Sequence, residues 1–136
     1  LDSKRIWKLT EGLISEYGIA VPGPDTTAKS LSGGNLQKLI LARVLSRKPR
    51  LIIANLPTQG LDVGATEFVQ NKLLEAKKLG AGILLISEDL DEVLSLSDRV
   101  APIYEGEFMG VIPASQARRE DIGAMMAGLK HKAAEA

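Results

Sequence analysis

Two short apolar runs, Leu51-Ile52-Ile53-Ala54 and Ile83-Leu84-Leu85-Ile86, flank one helical pattern, and that arrangement constrains the fold most. Neither run contains a charge or is long enough for a helix, so both are predicted to be buried strands of the parallel type. Asp62 is a plausible N-cap for a helix from about Gly64 to Leu79, and Gly80 ends it. A strand, a helix and a second strand in this order predict an α/β layer with a right-handed crossover. A third and a fourth strand, Val100 to Tyr104 and Phe108 to Ile112, are predicted about the Glu105-Gly106 turn.

Helical spacing dominates the rest of the chain. Ile6, Leu9, Leu13, Ile14 and Tyr17 mark a helix from Ser3 to Tyr17, which Gly18 stops. Pro22-Gly23-Pro24-Asp25 is a turn cluster. Leu36, Leu39, Ile40, Val44 and Leu45 mark a second amphipathic helix, with Arg47 and Lys48 expected in its last turn and Pro49 beyond. Asp89 is expected to cap a short helix to Leu96, and Ser115 a final helix ending near Gly128. The expected organisation is a helical portion over 1–48, an α/β portion over 49–129 and a solvated tail over 130–136.

Charge and composition exclude several classes. The 17 basic and 17 acidic residues cancel, whereas nucleic-acid binding usually leaves a basic excess. With no cysteine there is no disulfide, thiolate zinc site or catalytic thiol, which fits a reducing compartment. The longest charge-free stretch, Leu51 to Leu61, contains Asn, Pro, Gln and Gly, and is far short of the ~20 apolar residues of a membrane helix. No signal peptide is visible. Leu at position 1 reads as a chain cut from something longer.

Chemistry concentrates in Leu31-Ser32-Gly33-Gly34-Asn35-Leu36-Gln37-Lys38. A serine and two glycines at the mouth of a helix leave backbone N–H groups unpaired and open, and the helix dipole adds partial positive charge there. Ser-Gly-Gly alone is better explained by a plain N-cap with a flexible glycine hinge. The eight residues together resemble the signature motif of ATP-binding-cassette (ABC) ATPases, in the Gly-Gly-Asn form common in sugar and nucleoside importers. Leu51 to Asp62 resembles that family's Walker B strand running into its D-loop (Gly60, Leu61, Asp62), and Val63-Gly64-Ala65 continues it. Ile83 to Glu88 with Asp89-Leu90-Asp91-Glu92-Val93 is similar to the switch strand and following helix. Ser97-Asp98-Arg99-Val100 and Tyr104-Glu105-Gly106 are similar to the closing strands, and Gly23-Pro24-Asp25 to the stretch before a nucleoside-type signature.

The resemblance implies part of a P-loop NTPase core with mainly parallel strands, preceded by part of the helical signature subdomain. It places Leu31, Ser32, Gly33, Gly34, Asn35 and Gln37 against ATP held by another cassette, head to tail. It further implies ATP and Mg²⁺ in the intact protein, a permease touching the helical subdomain, and a place at the cytoplasmic face of the membrane. Departures from the pattern are as informative. No G-x-x-x-x-G-K-S/T string is present, so the amides and lysine that hold β- and γ-phosphates are missing. Asn55 stands at the Walker B carboxylate, Leu56 at the catalytic Glu and Glu88 at the switch His. A neutral amide is a poor partner for a hard cation, and Leu cannot accept a proton. This half is therefore expected to be catalytically inactive and to bind no nucleotide by itself, as in importers with one degenerate cassette, usually the C-terminal one.

A non-catalytic scaffold using the old permease surface and an unrelated phosphate-binding α/β module are the competing readings. In the family a Walker A strand lies between the switch strand and the next. Its absence predicts either direct pairing of Ile83–Ile86 with Val100–Tyr104 or closure by another copy through strand addition or swapping. Trp7 either packs within the helical portion or faces the permease. Met125-Met126 is expected in packing, Lys77-Lys78 and Arg118-Arg119 on solvated faces, and His131 in the solvated tail.

Overall fold

Asp2 accepts the Arg5 N–H and opens α1, Ser3–Glu16, in the computed structural model, which describes residues 2–129. Gly18 takes φ +56°, the left-handed geometry that ends a helix, and Ile19 N–H returns to the Ile14 carbonyl at 3.0 Å. α2 spans Gly33–Leu45, β1 Leu51–Asn55, α3 Val63–Lys78 and β2 Gly82–Ile86. They are followed by α4, Leu90–Leu96, four two-residue strands β3 to β6 (Arg99–Val100, Ile103–Tyr104, Glu107–Phe108, Ile112–Pro113), and α5, Arg119–Met126. The chain divides into two compact units at Leu84/Leu85, a boundary that falls inside β2.

In the N-terminal unit α1, α2, α3 and β1 close over Tyr17, Ile19, Leu41, Ala42, Ile52, Val69 and Leu73. Val69 is fully buried, and each such aliphatic side chain contributes about 1.5–3 kcal/mol. An aromatic and cationic stack sits beside this core. Tyr17 meets Phe68 edge-on at 6.3 Å, Lys38 Nζ lies 4.9 Å from the Phe68 centroid, and Lys72 Nζ 5.2 Å from the Tyr17 centroid. β1 is hydrogen-bonded to β2 in a two-stranded sheet.

The C-terminal unit has its own core of Val100, Met109, Ile112, Ile122 and Met125, against which Leu90, Val93 and Leu94 pack. β3 pairs with β6 and β4 with β5, both antiparallel, about a turn in which Glu105 (φ +48°) and Gly106 (φ +84°) are both left-handed. Two consecutive positive φ values are the geometry of a tight hairpin turn. The buried Glu92 belongs to α4.

Several expectations need correction. Neither β1 nor β2 is fully buried: burial alternates along each, with Leu51 64%, Ile53 65% and Leu84 53% exposed. The third and fourth strands are interrupted, since Pro102 has no N–H to offer a ladder. The pieces are joined by Met109 N–H to the Pro102 carbonyl at 2.9 Å. β2 and β3 do not pair: among the described residues β1 is the only neighbour of β2, and β6 the only neighbour of β3. α2 stops at Leu45, so Arg43 and not Arg47 or Lys48 lies in its last turn; Lys48 turns the chain with φ +48°. Ser115 lies in a short 3₁₀ segment, Ala114–Gln116, and α5 starts after Arg118, whose side chain does not cap it. Met125 is packed as expected while Met126 is half exposed, and the exposed Arg119 pairs with Asp91. His131 and the expected tail lie outside the described residues.

Candidate functional site

The mouth of α2 is held from three sides within the N-terminal unit. Ser32 is the N-cap, and its Oγ accepts from the Asn35 N–H at 3.4 Å and from Asn35 Nδ2 at 3.0 Å. Asn35 Oδ1 in turn accepts the backbone N–H of Ala20, in the segment after α1, at 2.9 Å. Gln37 Nε2 donates to the carbonyl of the buried Pro57 at 2.9 Å. One turn further, Lys38 Nζ donates to the Gly18 carbonyl at 3.1 Å. Three of these bonds, those to Ala20, Pro57 and Gly18, join a side chain of α2 to a backbone group outside the helix, so the motif is tied to main chain on either side.

The two glycines differ. A Cβ at Gly33 would meet nothing within 4 Å, so the backbone there is open to a ligand. A Cβ at Gly34 would come within 3.3 Å of Ala65 Cβ, on the first turn of α3, so Gly34 also permits close packing of α2 on α3. Ser32 and Gly33 are exposed, and Leu31, Gly34, Asn35 and Gln37 are half-buried. An exposed hydroxyl and open amides at a helix mouth match the geometry that binds a phosphate oxygen.

The expected D-loop lies beside it. Gly60 takes φ +71°, and Asp62 caps α3 by accepting the Ala65 N–H at 2.8 Å, which commits that carboxylate to the helix. The structure thus brings Gly34 and the D-loop helix into contact through Ala65, and Gln37 and the end of β1 together through Pro57. Sequence reading placed Gln37 against a nucleotide and missed its bond to Pro57, because nothing in the spacing marks that carbonyl as a partner.

At the end of β1, Asn55 is exposed and Leu56 half-buried with φ +47°, a left-handed backbone that a leucine rarely adopts. Neither side chain supplies charge. Glu88, in the C-terminal unit, is exposed. Among the described residues no group of three His, Asp or Glu side chains stands ready for a metal, and the residues at β1 do not fit Mg²⁺. No helix is long and apolar enough to cross a membrane among the described residues.

The chain is 42% identical over 98% of its length to a guanosine import ATP-binding protein of Bacillus subtilis. It is 53% identical over 76% of its length to a glucose import ATP-binding protein of Haloferax volcanii. It spans 26% and 19% of those two proteins, about a quarter or less of the relatives it matches. A solved ATP-binding cassette of an ABC transporter superimposes on 95% of the chain with a TM-score of 0.74 at 20% identity, the chain covering 51% of it. That similarity establishes the fold. No family model matches the chain.

Proposed function

We propose, from the premise that this chain belongs to the ABC ATPase family, that it presents a signature motif to ATP held by another cassette. In this reading the Ser32 hydroxyl and the Gly33 and Gly34 amides meet the terminal phosphate, while the Walker loops and carboxylates belong to the partner. Residues 1–48 then form part of the helical signature subdomain and 49–129 part of the ATPase core. The assembled protein hydrolyses ATP to drive import of a sugar or a nucleoside, bound to its permease at the cytoplasmic face of the membrane. The relatives' names, guanosine import and glucose import, support that solute range.

One observation carries the proposal: α2 opens on an exposed hydroxyl and an unobstructed glycine while its side chains tie it to Ala20, Pro57 and Gly18. Donors fixed in advance near a phosphate whose charge shifts during transfer lower the barrier, and losing one typically costs about 10²–10³ in rate. The end of β1 supports the asymmetric form of the reading, since Asn55 and Leu56 offer neither a metal ligand nor a base.

Steady-state ATP turnover of the full transporter in membranes tests it. Ser32→Arg fills the phosphate seat and Gly33→Asp repels it, and the open space at Gly33 keeps the second change from disturbing packing. Both are expected to lower turnover at least about 100-fold. Turnover within a few-fold of the parent in both variants would refute the proposal.

A further inference from the structure

We infer that Asn35 is a positioning residue that leaves the Ser32 hydroxyl able to donate and nothing else. The inference rests on the function proposed above and deepens it: Asn35 acts on the nucleotide through Ser32 and not by touching it. Ala20 N–H needs an acceptor, which fixes the oxygen end of the Asn35 amide toward Ala20 at 2.9 Å. The nitrogen end is thereby turned to Ser32 and donates to Oγ at 3.0 Å. The Asn35 backbone N–H approaches the same oxygen at 3.4 Å, a longer and weaker contact.

A hydroxyl oxygen has two lone pairs and one hydrogen. Both lone pairs of Ser32 Oγ face donors from Asn35, and the O–H has no acceptor among the described residues. A group restricted to donating suits phosphate oxygens, which only accept, and offers nothing to a cation or an N–H donor. Without the Asn35 amide only the 3.4 Å backbone contact remains, one lone pair is open, and the hydroxyl would divide its time between donating and accepting. The anchor is firm: Tyr17 and Ile19 are in the core and the Gly18 carbonyl is held by Lys38, so Ala20 follows a fixed piece of main chain.

The alternative is that Asn35 merely ties the segment after α1 to α2. Asn35→Asp separates the two. A carboxylate keeps the Ala20 bond and suits a helix N-terminus, so folding is retained, but it accepts the Ser32 proton and turns the donor away. In the full transporter we expect Asn35→Asp and Asn35→Ala each to lower kcat about tenfold or more, with KM for ATP within about twofold of the parent. Thermal unfolding of the Asn35→Asp protein should be unchanged or slightly raised. In a Ser32→Ala background, Asn35→Ala should cost less than about twofold more. Full additivity in that double variant, or parental kcat in both Asn35 variants, overturns the inference. If Ser32→Arg abolishes turnover while the Asn35 variants do not, this inference alone fails. If Ser32→Arg leaves turnover intact, the function proposed above fails and takes this inference with it.

Discussion

The mouth of α2 and the end of β1 are joined by the hydrogen bond from Gln37 to the Pro57 carbonyl, yet they differ in what their side chains can do. At α2 a hydroxyl and a glycine are exposed and four polar contacts fix the backbone around them. At the end of β1 stand an exposed neutral amide, Asn55, and a half-buried leucine, Leu56, in left-handed geometry. A loop that contributes donors to a ligand held elsewhere needs position more than charge. A loop that binds a metal and activates water needs carboxylates. In the reading proposed above the first task falls to the mouth of α2, and Asn55 and Leu56 offer no carboxylate for the second.

The largest effect should separate these loops directly. Gly33→Asp or Gly34→Asp should lower turnover of the full transporter by about two orders of magnitude. Leu56→Gln and Glu88→Gln should leave it within a few-fold, about 1 kcal/mol in barrier. Gly34→Asp carries a second penalty through Ala65, so Gly33→Asp is the cleaner probe. Comparable damage from both pairs in the same assay breaks the comparison.

The bond that joins the loops comes next. Gln37→Leu leaves the Pro57 carbonyl without its donor, and should lower the free energy of unfolding in urea by about 1–2 kcal/mol. No change would mean that the two loops are positioned independently.

Most of the local structure around these loops was legible in the sequence. Asp62 and Asp89 cap the helices expected of them, and Gly18 ends α1. The same rules failed where a competing contact decided the outcome. Ser115 fits the sequence pattern of a cap, but its backbone is taken into a 3₁₀ turn that delays α5 to Arg119. Leu51, Ile53 and Leu84 read as buried because an apolar run is indistinguishable from a core strand by composition; what covers a strand is a property of its neighbours. The hydrogen bonds of Asn35 and Gln37 were invisible for a similar reason. They end on the main chain of Ala20 and Pro57, and backbone partners leave no signature in side-chain identity.

The stack beside the core gives a smaller, pH-dependent effect. Burial, then Glu16, raises the Tyr17 hydroxyl above its ordinary 10.0, and the hydrogen bond to Glu75 raises Lys72 above 10.5. In both cases the folded chain holds its proton to higher pH than the unfolded chain does. The native state then binds more protons in that interval, and stability falls as pH rises. Urea midpoints should be level up to about pH 10 and decline above it, with a shallower decline in Lys72→Met. A profile that stays level to about pH 11 would contradict this. The smallest effect is Lys48→Gly, which relieves a left-handed lysine at an exposed turn and should add about 0.5–1 kcal/mol to stability.

The central claim, that this chain lends donors to ATP without holding it, is tested most directly by calorimetric titration of the folded chain with ATP and Mg²⁺. The mouth of α2 offers a few amides and one hydroxyl, too little to offset the entropy lost when a nucleotide is ordered. The account predicts no saturable heat up to about millimolar nucleotide. A dissociation constant of about micromolar order would contradict it.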